Sequence, residues 1–289
     1  MPTLSVSDSW LPVAGRAALA AAFIWSGLIN LFAFMGEFSR LYLSTMSMSS
    51  RFAPLLIILE LGGGAALLLG VEIRRTAFAL IAALLLDQSM SGPVPGGGNW
   101  LLLRDDPAVL HLHRTIVLAG GVLLAVVYEA NQARSPTETE SGIGLIPLLG
   151  RLCIGGMIAA YAVRDIVDFA LVSTTLSQEG VPLAPVVLAA EIAVRLLAGW
   201  ALVIGFWTRL AAIVLFVFSM VADNPAVAIL RYSATHTDID LYGAHIALAL
   251  TGGLILAFLK EGARRRQRRP RTAAAPRLAS GAAAPESST

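Results

Sequence analysis

The sequence predicts an all-α, polytopic membrane protein in which eight transmembrane helices form two pseudo-symmetric four-helix bundles. Three observations lead to this class. Of the 289 residues, 56% are hydrophobic and 14% charged, and mean hydropathy is +0.74, so the chain lacks the charged surface that a soluble domain needs. Apolar runs near the roughly 20 residues that a bilayer crossing requires recur along it. The second half also repeats the first: GRAALAAAFIWSGLINLF from Gly15 matches GRLCIGGMIAAYAVRDIV from Gly150, LLLGVEIRR ending at Arg75 matches LVIGFWTRL ending at Leu210, and HRTIVLAGGVLLAV from His113 matches HIALALTGGLILAF from His245.

The elements follow in order. Residues 1–14 form an N-terminal segment without Lys or Arg, so the charged leader of a cleavable signal is missing and the first apolar run is expected to remain as a helix. The first domain, 15–128, holds runs at 12–35, 52–71, 74–91 and 108–128. EANQARSPTETESG opens a polar, turn-rich linker, 129–144. The second domain, 145–260, holds runs at 145–169, 183–205, 209–223 and 241–260, and residues 261–289 are biased to Arg, Ala, Pro and Ser, which builds no core. Within the runs, Ala66 with Gly70, Ala201 with Gly205, Gly120 with Gly121 and Gly252 with Gly253 supply the small residues that let helices approach closely in lipid. Compact bundles are expected from them.

An even number of spans places both termini on one side, and the Arg-rich tail from Lys260 to Arg271 makes that side cytoplasmic, in the inner membrane. Arg74, Arg75, Arg134 and Arg209 fall on the tail's side; Arg40, Arg51, Arg104 and Arg231 fall on the other. The tail is an orientation signal, and no nucleic-acid partner is expected. Cys153 is the only cysteine, which rules out an intramolecular disulfide, a CxxC redox pair and a multi-thiolate metal site.

Charges inside apolar runs are costly and mark pairing or function. Glu60 lies near mid-depth of the second run, and in the register of the repeat Arg195 takes its place in the sixth. Glu60 across the two-fold axis and Glu191, one turn earlier on the same helix, are the candidate partners of Arg195. Asp165, with Arg164 before it and Asp168 three residues later, is expected at a solvated helix end, and Asp87 and Asp223 at the outer interface. Together Glu60, Arg195, Glu191 and Asp165 make a candidate intramembrane charge or proton site.

A second candidate site lies at the outer end. WLLLR ends at Arg104 and AVAILR at Arg231, each followed by acidic residues and a His-bearing helix, so Arg104, His113, Arg231 and His245 form a candidate ligand-binding set. The short apolar segments before the two arginines are expected to be interfacial or re-entrant. His111 and His113 point about 200° apart on a helix and cannot share a metal, and no metal site is assigned.

The WSGLINL stretch (Trp25–Leu31), the ELGGGAALLLG-x3-R stretch (Glu60–Arg74) and the glycine-bearing fourth helix resemble the DoxX family of four-helix membrane proteins, here in two tandem copies. The second copy departs from the pattern, with Arg195 in the place of the family's Glu and YAVRD in the place of WSGLIN. The resemblance implies a membrane component of a quinone-linked oxidoreductase system, with sulfur-compound oxidation as its setting. It carries over no catalytic residues. No GxGxxG, haem-attachment or cysteine motif is present, so no intrinsic cofactor is expected; quinone is the implied cofactor, and a redox partner subunit joins the lipid bilayer as an implied partner. A non-catalytic scaffold or assembly factor and a small-solute transporter are the alternative functions.

Overall fold

A computed structural model describes residues 10–38, 48–90, 107–133, 145–178, 180–222, 225–235 and 238–268. All regular structure among them is helical: α1 (Trp10–Phe38), α2 (Met48–Leu69), α3 (Ile73–Met90), α4 (Pro107–Ala133), α5 (Leu145–Val167), α6 (Phe169–Gln178), α7 (Ala184–Ile204), α8 (Thr208–Ala222), α9 (Pro225–Thr235) and α10 (Asp238–Arg268).

Six helices are long and apolar enough to cross a membrane, against the eight expected. Their spans are Trp10–Met35, Phe52–Leu69, Val109–Ala130, Leu145–Val167, Ala184–Ile204 and Asp240–Leu259. The third and seventh expected spans are helices, but α3 has 18 residues including Arg74, Arg75 and Asp87, and α8 has 15. The fifth run breaks at Asp168, whose N–H still bonds the carbonyl of Arg164, and continues as the short α6.

Corresponding turns join α2 to α3 and α7 to α8. Each begins at a glycine in the left-handed region, Gly70 at φ +73° and Gly205 at φ +84°, where a side chain would be strained. Two residues later Glu72 and Trp207 both adopt φ +45°. The guanidinium of Arg16 lies against Gly70 and that of Arg151 against Gly205, so a cation covers the negative end of the helix dipole in each case.

Packing departs from two closed bundles standing side by side. α1 lies on α2, and α5 on α7, but the main neighbour of α4 is α10, and each of these two packs far more on the first helix of the other half (α5 and α1) than on that of its own. Glycines make this possible: Gly15 meets Gly252 where α1 crosses α10, and Gly150 meets Gly120 where α5 crosses α4. These four are matched pairs in the sequence repeat. One apolar core therefore runs through both halves, including Leu19 and Phe23 of α1, Leu118 of α4, Ile154 of α5 and Leu254 of α10.

Candidate functional site

In the first half the charges collect around Arg114 of α4. Its Nη2 donates to Glu60 Oε1 at 3.1 Å and to Ser26 Oγ, while its Nη1 donates to Asp87 Oδ2 at 3.0 Å. Ser26 Oγ donates to Glu60 Oε1 at 2.8 Å and Asn30 Nδ2 to Glu60 Oε2 at 2.9 Å, so both carboxylate oxygens are satisfied. His111 lies with Nε2 3.0 Å from Asp87 Oδ2 and Nδ1 3.0 Å from Gln88 Oε1. Glu60 is 2% exposed and Arg114 3%, so each depends on the other for the stabilisation that water cannot give. α1, α2, α3 and α4 are tied together by this network.

In the second half Arg195 of α7 is the centre. Its Nη1 donates to Asp165 Oδ2 at 2.9 Å and its Nη2 meets Glu191 Oε1 at 2.7 Å, while Arg164 Nη2 reaches Asp165 Oδ1 at 3.4 Å. The pairs Asn30–Glu60 and Asp165–Arg195 correspond: both are 30 residues apart, and both join the first and second matched helices of one half. The inverted charge at Arg195 is answered by a carboxylate where the first half has an amide.

Of the two candidate partners of Arg195, Glu191 is therefore met and Glu60 is not. Glu60 pairs with Arg114, and Arg195 with Asp165 and Glu191. α2 and α7 share no extensive interface, since the junction is occupied by α1, α4, α5 and α10. One further expectation is corrected: Asp165 is buried at 5% exposure instead of solvated, with Arg164 and Arg195 both bonded to it. Asp87, partly exposed near the end of α3, bonds Arg114 and His111.

Beside Arg195 a cavity of about 230 Å³ opens among α4, α5, α7, α8 and α10. Its polar side comprises Tyr161, Arg164, Arg195 and Ser219; the rest is apolar, including Phe218, Ile246 and Leu250. The Arg195 guanidinium lies 5.1 Å over the Phe218 ring and that of Arg164 5.1 Å over the Tyr161 ring. Tyr161 Oη is 3.3 Å from His113 Nδ1. Ser219 is 4% exposed, and its Oγ has no hydrogen-bond partner among the described residues. The arrangement offers a hydrophobic berth with hydrogen-bond donors along one side, suited to a largely apolar molecule that carries acceptor oxygens.

The proposed outer-end set is only partly visible. His113 and His245 are buried at 2% exposure within the helix packing. His245 Nδ1 donates to the carbonyl of Leu241 at 2.8 Å, and its ring stands edge-on to Trp25 at 6.4 Å. Arg104 lies outside the described residues, as do His236, Asp223 and the side chain of Arg231. Sequence reasoning missed Arg114, Tyr161 and Ser219. Arg114 carried a usable signal, being a charge inside an apolar run that demands a carboxylate as much as Glu60 demands a cation.

A sequence model of the DoxX family matches the chain twice, over residues 11–88 and 146–224. No curated protein matches the chain, and no solved structure does.

Proposed function

Because the chain belongs to the DoxX family, we propose that it is a multi-pass inner-membrane component of a quinone-linked oxidoreductase system, with the cavity beside Arg195 as the place where the quinone head group docks. The cavity is the observation that carries this reading. A quinone ring is apolar, planar and edged by carbonyl oxygens that only accept hydrogen bonds; Tyr161, Arg164, Arg195 and Ser219 supply donors, and Phe218 and Ile246 supply apolar wall. The buried, unpartnered hydroxyl of Ser219 fits such a ligand, since a buried hydroxyl without a partner costs about 1–3 kcal/mol.

Bound there, a quinone would supply two-electron redox chemistry, which the side chains around the cavity lack. The protein's own part is to hold the ring, exclude water from it and, through the contact of Tyr161 with His113, link its edge to a buried imidazole. Electrons then enter from a partner subunit. The corresponding turns, glycine crossings and 30-residue pairs support a duplicated fold in which α3 and α8 complete eight spans about a pseudo-two-fold axis, and the Arg-rich tail supports cytoplasmic termini. Sulfur-compound oxidation is the proposed setting, by the family's association.

Purification from native membranes, followed by mass spectrometry of bound lipophiles, tests the reading. The expected result is isoprenoid quinone at near-stoichiometric level, displaced by a short-chain benzoquinone. Quinone no higher than in an unrelated membrane protein prepared in parallel would overturn it and leave the scaffold or transporter role.

A further inference from the structure

The two halves present the same frame with different interiors. In the match that aligns His113 with His245, Arg114 and Thr115 of the first half correspond to Ile246 and Ala247 of the second. Arg114 fills the interior of its half and bonds Glu60, Asp87 and Ser26. Ile246 and Ala247 line the cavity instead. The loss of a guanidinium and of a hydroxyl at adjacent positions is a physical reason for a hollow here, and Gly243, one turn earlier on α10, adds no side chain to fill it.

We infer that the cavity beside Arg195 takes a single planar ring whose acceptor oxygen is held by Ser219. A cavity of about 150 Å³ is large enough for benzene, so about 230 Å³ accommodates one substituted ring. The chemical class follows from the charges that remain. Both oxygens of Asp165 already face guanidiniums, and Glu191 Oε1 faces Arg195, so the carboxylates next to the cavity are engaged and its polar edge presents donors. A cation finds no open anion among the described lining residues, whereas an oxygen acceptor finds Ser219, whose Oγ has no other partner among the described residues. Phe218, pinned beneath Arg195, gives the ring a face to lie on. The half that departs from the family pattern thus supplies all of this site's lining except Leu110.

This inference rests on the cavity being the functional site but not on the ligand being a quinone. The test measures binding of two single-ring probes, phenol and a short-chain benzoquinone, to the full chain in detergent by equilibrium dialysis. Wild type should bind phenol; Ala247→Leu, which adds apolar bulk at the cavity wall, should abolish binding of both probes, and Ser219→Ala, with unchanged elution on gel filtration, should weaken it by about 5- to 10-fold, the worth of one hydrogen bond. Phenol binding that responds in this way with no benzoquinone binding would sustain the inference and overturn the quinone reading. Phenol binding that is absent from wild type, or indifferent to Ser219→Ala, would overturn the inference even where Ala247→Leu fails to fold.

Discussion

Replacement of Arg114 by methionine is expected to destabilise the protein by about 3–5 kcal/mol, the cost of leaving a buried carboxylate without its cation. Glu60 and Asp87 both lose their guanidinium partner, and Glu60, at 2% exposure, has no water to turn to. Because the loss comes from stranded charge, neutralising the carboxylates in the same chain (Arg114→Met with Glu60→Gln and Asp87→Asn) should recover much of it, as read by denaturation in detergent. Arg195→Gln destabilises by the same physics through Asp165 and Glu191. The two clusters share no partner, so the losses of Glu60→Gln and Arg195→Gln should add to within about 0.5 kcal/mol. Coupling beyond that would mean that the halves exchange charge after all.

Gly252→Val is the second change of large expected effect. A Cβ there would stand 2.6 Å from the carbonyl oxygen of Gly15, a backbone atom that cannot move without shifting α1. The same crossing carries the contact between the halves, so the helices must separate and core around Leu19 is lost. A destabilisation of about 3 kcal/mol is expected, at the upper end of ordinary overpacking. Gly62→Ala is the control, since a Cβ at Gly62 meets nothing within 4 Å; its thermal midpoint should not fall, because Ala favours a helix over Gly. Equal effects of the two would contradict the interlocked packing.

Much of the fold was legible in the sequence because helix formation in lipid leaves a local record. Apolar runs and the repeat register lie on the chain within a few residues of what they determine, whereas Gly70 and Gly205, expected as helix-contact residues, are the left-handed residues at which α2 and α7 end. Which helix packs on which is not local. Gly120 and Gly252 announced close approach, but nothing in their own segments says that the partner is Gly150 or Gly15 of the other half. The same limit applied to the charges. Glu60 stood out as needing a cation, and the repeat drew attention to Arg195 at equal depth, whereas the partner is Arg114, 54 residues along the chain on α4. The cavity was the least legible feature, because it arises from what Ile246 and Ala247 lack, and an absence has no sequence motif.

The most direct measurement is photolabelling of the purified protein with a short-chain azidoquinone, with the modified peptides mapped by mass spectrometry. The account predicts label on α8 near Phe218 and Ser219 and on α10 between residues 243 and 254, suppressed by excess unlabelled quinone. Suppressible label confined to the neighbourhood of Glu60 and Asp87, or to the segment around Arg104, would contradict it.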